Sequence, residues 1–216
     1  MIMCHRLSRA TFALVCLVVP TTSVSAHPHN YIHVSATIMI DDGALNSLRY
    51  VWRFDSKYLD GLKQEYDTNR DGVISDEEMQ RWLADSKTNL DAFKFFTTLR
   101  QGRETLSPTS ADGHRFEITA EGLDLHFIAR LPKSLSVKAE PLQIDIYDRT
   151  FFTEFVLGDG RGITVAATGK FIACTANVAL APGSEQQKAI SAFMKMFGRV
   201  DGKLAPAKAI TVICKD

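Results

Sequence analysis

The most regular feature of the chain is an alternation of apolar and polar residues with a period of two, which is typical of half-buried β-strands. It runs through residues 32–40, 48–54, 123–131 and 142–147. Shorter segments with strand character are predicted at 93–99, 116–118, 163–165, 174–180 and 209–214. The Asp42-Gly43 pair between the first two segments predicts a hairpin turn. Many short strands separated by turns predict a mainly β, antiparallel sandwich-like fold.

The period changes to that of a helix in three places. Residues 55–66 and 76–90 each place apolar side chains on one face, and they interrupt the strand pattern. A third helix is predicted from Ser184 to about residue 197, because Ser184 and Gln187 form a capping box. The overall class is therefore α+β.

The segment between the first two helices carries a calcium-loop motif of twelve residues, from Asp67 to Glu78. It matches the spacing D-x-[DN]-x-[DN]-G-x5-E at every position. Calcium prefers about seven oxygen ligands, and this spacing supplies them from side chains, one carbonyl and a bidentate glutamate. The predicted ligands are Asp67, Asn69, Asp71, the Val73 carbonyl, Ser75 and Glu78. The alternative is a surface turn rich in Asp and Asn. We expect an EF-hand-like helix–loop–helix inserted at about 55–90.

The first 26 residues have the three parts of a secretory signal. Arg6 and Arg9 precede an apolar stretch at 10–19, and Val24-Ser25-Ala26 forms a cleavage site with small residues. The apolar stretch is too short to span a bilayer. We therefore expect a signal peptide at 1–26, a single β-rich domain at 27–216, a periplasmic location and no stable membrane insertion after cleavage. The near balance of 25 basic and 25 acidic residues argues against nucleic acid as a partner.

Two cysteines remain after the predicted cleavage, Cys174 and Cys214. An even pair in an oxidising compartment predicts one disulfide. The alternative is a pair of thiolate metal ligands. The apolar, β-branched surroundings favour the disulfide, because no nearby cation lowers the pKa of either thiol.

Histidines cluster at the predicted new N-terminus, in the sequence His27-Pro28-His29-Asn30-Tyr31-Ile32-His33. In a strand, His27, His29 and His33 share one face. Their imidazoles, together with the free α-amine of His27, predict a site for nickel, cobalt, zinc or copper. His126 is a further candidate ligand, because it lies on the polar face of its strand. The alternative is an incidental cluster at an exposed terminus.

The order of motifs along this chain resembles that of an uncharacterised bacterial periplasmic family. The motifs are the signal with His27-Pro28-His29, the segment Trp52-Arg53-Phe54-Asp55, the loop ending in Glu78, and the segment Tyr147-Asp148-Arg149-Thr150-Phe151-Phe152. That family is described as the periplasmic component of an ABC-type transport system, often encoded beside nickel/cobalt permeases. The resemblance implies a membrane metal permease or ABC transporter as partner. Family members commonly carry proline where this chain has Arg149.

Three classes of function follow. The favoured one is a periplasmic metal-binding accessory protein of a transition-metal transport system, with calcium holding the inserted helices. The second is a calcium-stabilised interaction module that docks a permease. The third is a metal-dependent enzyme, which is disfavoured because no hydrolase, zincin or P-loop motif is present. The carboxylates of Asp145, Asp148 and Glu154 are interpreted as solvated or salt-bridged rather than as an acid/base pair.

Overall fold

The computed structural model describes residues 30–137, 140–169, 173–197 and 206–215. The predicted signal peptide, together with His27 and His29, lies outside the described residues. The described strands are β1 (Asn30–Asp41), β2 (Ala44–Phe54), β3 (Thr97–Gln101), β4 (Glu104–Leu106), β5 (Ser110–Thr119), β6 (Gly122–Ser136), β7 (Leu142–Ile146), β8 (Thr153–Val156), β9 (Ile163–Thr168), β10 (Ala173–Leu180) and β11 (Lys208–Lys215). The described helices are α1 (Ser56–Tyr66), α2 (Asp76–Ala92) and α3 (Glu185–Phe197). The protein is therefore mainly β, as predicted.

The first sheet has the strand order β5-β6-β2-β1-β8, and β9 also pairs with β1. β1 and β2 form the predicted hairpin, in which Asp42 and Gly43 have φ values of 46° and 76°. Such positive φ values fit the primed turns that match the twist of the strands. The prediction of antiparallel pairing is wrong at one edge, because both β8 and β9 run parallel to β1. β8 pairs with residues 30–33 of β1, and β9 pairs with residues 36–41.

The second sheet has the order β10-β11-β7-β3-β4, and its pairs are antiparallel. Cys174 and Cys214 lie opposite each other on β10 and β11, with their Cα atoms 4.0 Å apart, and form a disulfide. The disulfide prediction is confirmed. The thiolate-ligand alternative is wrong, because each sulfur is bonded to the other.

A single core contains side chains from both sheets. Trp52 lies at its centre, and its ring centroid is 4.9 Å from those of Phe127 and Phe155. Tyr50 is fully buried and its hydroxyl lies 3.1 Å from Thr97 Oγ1, which joins β2 of the first sheet to β3 of the second. Burying an aromatic side chain of this kind typically contributes about 3–5 kcal/mol, judged by truncation to alanine.

The predicted strand at 93–99 is wrong over its first half. Helix α2 continues to Ala92, a tight turn follows at Lys94–Phe96, and β3 begins only at Thr97. All three residues of that turn have positive φ values, between 51° and 54°. A left-handed backbone costs L-residues about 1–2 kcal/mol each. Burial of Phe95, which is 0% exposed, holds the turn in place.

The inserted helices pack on the sheet through aromatic rings. Phe54, the last residue of β2, lies 4.5 Å from Tyr58 of α1 between ring centroids. The ring centroid of Trp82 of α2 lies 3.7 Å from that of Phe116 of β5. Ser184 precedes helix α3 and caps it, because its Oγ accepts a hydrogen bond from the Gln187 N–H at 3.0 Å. Among the described residues, no helix is both long and apolar enough to cross a membrane.

Candidate functional site

The loop between α1 and α2 is bounded by two well-defined helix ends. Asp55 caps α1 by accepting a hydrogen bond from the Tyr58 N–H at 2.9 Å. Ser75 caps α2 in a reciprocal capping box with Glu78. Both helices therefore begin where the sequence predicted, because the caps satisfy N–H groups that lack a partner within the helix.

Within the loop, the predicted ligand side chains turn inward onto the loop's own backbone. Asp67 Oδ2 accepts from the Gly72 N–H at 2.8 Å, and Asn69 Oδ1 accepts from the Asp71 N–H at 3.0 Å. Asp71 Oδ1 accepts from the Val73 N–H at 2.8 Å. Gly72, with φ of 81°, supplies the left-handed turn that an L side chain would strain. The loop thus places two carboxylates and an amide around one sharp bend, but Asp67, Asp71 and Glu78 do not form a group of three carboxylates arranged to hold a metal ion.

Glu78 joins the two ends of this loop. One carboxylate oxygen accepts from the N–H and Oγ1 of Thr68, at 2.7 and 2.8 Å. The other accepts from the N–H and Oγ of Ser75, at 3.0 and 2.9 Å. These bonds to Ser75 and Thr68 lower the pKa of Glu78 to about 2. The side chain is therefore an anion at neutral pH, with both oxygens directed at the loop.

Two of the four candidate histidines, His33 and His126, lie within the described residues. His33 is exposed on β1, where it lies opposite Arg53 of β2. The Arg53 guanidinium binds both oxygens of Asp124, with 2.8 Å for each pair of atoms, and also pairs with Glu121. Its positive charge is thus balanced by two carboxylates. The ring of His33 therefore faces no unpaired cation on the adjacent strand.

His126 is not brought to His33. Strand β2 lies between them, and their registers differ by two residues, so that their Cα atoms are about 12 Å apart from standard strand spacings. His126 Nδ1 lies 3.3 Å from an Arg115 guanidinium nitrogen, and its Nε2 lies 3.4 Å from Glu117 Oε2. The two ring nitrogens, which are the atoms that a metal would bind, therefore lie next to Arg115 and Glu117. No group of three or more His, Cys, Asp or Glu side chains in the described ranges is arranged to hold a metal ion.

The three carboxylates after β6 are less solvated than the sequence suggested. Asp145 is fully buried; one oxygen has no hydrogen-bond partner, and the nearest guanidinium nitrogen of Arg100 is 3.9 Å away. Burial raises the pKa of Asp145. Asp148 is buried and accepts hydrogen bonds from Thr150 and Thr153.

The third carboxylate, Glu154, lines a cavity of about 310 Å³ that the sequence analysis missed. Its walls come from β8, from the segment after β7, from α3 and from the start of β11. The first two segments are adjacent in sequence, whereas α3 and β11 follow about 30 and 50 residues later. No motif in the sequence indicated this cavity, because its walls form only when these segments pack together.

The chain is similar to two uncharacterised proteins and to one family of unknown function. An uncharacterised 15.5 kDa protein in the trpE 3' region of Spirochaeta aurantia is 29% identical over 107 residues, which cover 50% of this chain and 76% of that protein. An uncharacterised protein of Haemophilus influenzae is 21% identical over 162 residues, which cover 74% of this chain and 77% of that protein. Residues 12–206 match the family described as "Protein of unknown function (DUF1007)". Because this match spans most of the chain, the protein belongs to the DUF1007 family.

Proposed function

We propose that the protein is a periplasmic accessory protein of a transition-metal transport system, which holds a divalent metal through its N-terminal histidines. The observation that carries the proposal is the exposed position of His33 at the start of β1, where Ile32 and Val34 are buried. The described strand therefore keeps the alternation that the sequence predicts. His27 and His29 precede it at positions of the same parity.

The local electrostatics support a cation at this point. Arg53, the residue opposite His33, is paired with Asp124 and Glu121, so this row of the sheet carries no excess positive charge. Neutral imidazole and a terminal amine are suitable ligands for nickel, cobalt, zinc and copper. The resemblance to a family encoded beside nickel/cobalt permeases supports a permease or ABC transporter as partner. The proposal assigns no catalytic step to the chain.

The experiment is a titration of the exported protein, beginning at His27, with zinc, nickel and copper. We expect tight binding, a large loss in His29→Ala and His33→Ala, and weaker binding when one residue is added before His27 and the α-amine becomes an amide. His126→Ala is the matched control, because its ring lies two strands away and is engaged by Arg115 and Glu117. Equal affinities for the native form, the extended form and His29→Ala would refute the histidine site.

The second candidate is calcium binding by the loop from Asp67 to Glu78. It is favoured by the inward-turned oxygens of Asp67, Asn69 and Asp71, and by the anionic Glu78 that closes the loop. For calcium to bind, the Glu78 oxygens must give up their hydrogen bonds to Thr68 and Ser75 and coordinate the ion instead. The ion would then join the two ends of the loop more strongly than these hydrogen bonds do. In that case the loop would fix the helix pair as a surface that docks a permease.

Calcium titration after treatment with a chelator tests this second candidate. An ion that binds only the folded chain at a hundredfold excess over Kd raises the free energy of unfolding by about 2.7 kcal/mol. Glu78→Gln should lose this rise, whereas Glu65→Gln, an exposed change on α1, should keep it. Tight transition-metal binding favours the carrier, calcium alone favours the docking module, and turnover with a redox metal favours an enzyme. An unchanged melting temperature in millimolar calcium would refute the loop as a calcium site.

A further inference from the structure

The cavity at the edge of the first sheet has the walls of a small-molecule site. Its volume of about 310 Å³ lies at the lower end of the range for ligand pockets, about 300–1,000 Å³. Most of its lining is apolar and comes from three separate stretches of the chain, represented by Phe151, Phe155, Leu157, Ile190 and Pro206. Contact between the rings of Phe151 and Phe193, with centroids 5.0 Å apart, holds α3 against the segment that follows β7.

Glu154 gives this apolar cavity a negative charge. Its side chain is partly buried, and among the described residues its carboxylate has neither a hydrogen bond nor an ion pair. Burial without such a partner raises the pKa of Glu154. Asp148, the other carboxylate of the lining, differs because Thr150 and Thr153 saturate it with hydrogen bonds. Glu154 therefore retains unused capacity to accept hydrogen bonds.

Lys208, the cationic side chain among the described lining residues, forms no ion pair with Glu154. The ammonium of Lys208 donates to the carbonyl oxygen of Gly158 at 3.0 Å. A second unused acceptor lies on α3: Gln186 Oε1 is shielded from solvent and has no hydrogen-bond partner. Leaving this buried amide oxygen unpaired costs free energy, typically about 1–3 kcal/mol. A ligand that brought N–H donors would remove that cost.

We propose that this cavity binds a small organic ammonium ion, with the Glu154 carboxylate holding its charged head and the apolar walls holding its body. The chemistry of the lining selects this class. An ammonium group carries a positive charge and several N–H donors, which complement one carboxylate and one amide oxygen. A bare metal ion would require more oxygen or nitrogen ligands than the lining offers, and would make no use of the apolar walls. The volume suits a body the size of one aromatic ring or a short alkyl chain.

In the register of β1 and β8, Glu154 lies opposite Tyr31 and the lining residue Val156 lies opposite His33, so the amine site is tested with metal removed. The probe is 2-phenylethylammonium, titrated calorimetrically at pH 7.5 in the presence of EDTA. Its neutral analogue 2-phenylethanol and the anion 3-phenylpropionate test the role of charge. A blocked peptide with one lysine, acetyl-Ala-Lys-Ala-amide, tests whether the ammonium group comes instead from a polypeptide. We expect the order 2-phenylethylammonium, then the alcohol, then the anion, with the peptide weaker than the free amine.

Substitution of Glu154 then identifies the anchor. Glu154→Gln should weaken binding of the ammonium probe about tenfold, which corresponds to about 1.4 kcal/mol, and leave the alcohol unaffected. The variant should fold, because Glu154 has no hydrogen-bond or ion-pair partner to lose within the described part of the chain. Glu65→Gln, the exposed control, should bind all probes like the native chain. The side-chain amide signals of Gln186 should shift on addition of the probe in a ¹H–¹⁵N spectrum.

A cavity-filling change completes the test. Ile190→Trp should abolish binding of both the ammonium ion and the alcohol while the melting temperature shows that the chain is folded. The proposal is overturned if the native chain binds the ammonium ion no better than the alcohol, if the anion or the peptide binds best, or if Glu154→Gln changes nothing. Because His33→Ala should leave amine binding unchanged, a failed metal site and a failed amine site give different results.

Discussion

The hydrogen bond between Tyr50 and Thr97 offers the sharpest test of how the two sheets are joined. Thr97 Oγ1 donates to the carbonyl oxygen of Phe95 at 2.7 Å, so its own proton is in use. The Tyr50 hydroxyl must therefore be the donor in the 3.1 Å bond between Tyr50 and Thr97. Two hydrogen bonds in series therefore connect Tyr50 of β2, through Thr97 of β3, to the Phe95 carbonyl in the left-handed turn.

Two substitutions separate the links of this chain. Tyr50→Phe removes one neutral hydrogen bond and leaves almost no cavity, so the expected loss of stability is about 1 kcal/mol. Thr97→Val keeps the shape but leaves two buried groups, the Tyr50 hydroxyl and the Phe95 carbonyl, without this partner. The expected loss is about 2–3 kcal/mol. In the double variant the Tyr50 hydroxyl is absent, so its loss should be smaller than the sum of the two single losses by about 1 kcal/mol.

The assay is urea unfolding of the oxidised protein, followed by tryptophan fluorescence and circular dichroism. Trp52 lies in the core and Trp82 on α2, so coincident transitions would show that the sheet and the helix pair unfold together. Strictly additive losses, or a Tyr50→Phe variant as stable as the native chain, would refute this account of the sheet junction.

Further predictions follow from other described features. Reduction of the disulfide between Cys174 and Cys214, which are 40 residues apart, should cost about 4 kcal/mol in the chain-entropy model, measured by urea unfolding with and without reductant. Lys94→Gly should raise the free energy of unfolding by about 0.5–1 kcal/mol, because Lys94 is exposed with φ of 51°, whereas Lys94→Ala should give no gain. Burial raises the pKa of Tyr50 above its ordinary value of 10.0, so the folded state prefers the neutral phenol; stability should fall as pH rises above 10, and less steeply in Tyr50→Phe.

Elements set by local chemistry could be predicted from the sequence. The hairpin at Asp42 and Gly43, the helix start at Ser75 and the start of α3 at Ser184 all have a short polar residue or glycine where the backbone requires one. The disulfide followed from cysteine number and surroundings. The strands followed from the alternation, because one face of each was to be buried.

Features set by distant contacts could not be predicted. The parallel pairing of β8 and β9 with β1 joins segments far apart in sequence, and no local signal distinguishes parallel from antiparallel partners. The left-handed turn at Phe95 contradicts the preference of L-residues, and burial of that ring overrides the preference. Likewise, the cavity beside Glu154 exists only because α3 and β11 come to lie next to β8.

For the candidate sites, the sequence could predict the local bend of the loop but not which strands are neighbours, and calcium binding by that loop stays a prediction. The loop oxygens of Asp67, Asn69 and Asp71 lie together because the motif fixes their spacing. His126 was grouped with His33 on the basis of residue type and strand face alone, and β2 separates the two. The order of strands is a property of the whole sheet, and it decides whether two histidines can bind the same metal ion.

The position of β1 has a consequence for how the chain acquires its structure during synthesis. Its hairpin partner β2 follows at once, but its other edge is covered only by β8 and β9, after the chain has reached Thr153 and then Ile163. Until then, a growing chain presents an open strand edge with a row of unpaired backbone groups, which invites pairing with other chains. Shortened chains that end before Thr153 should therefore aggregate or be held by chaperones. The open edge of β1 is thus covered only by strands that are made more than a hundred residues later in the chain.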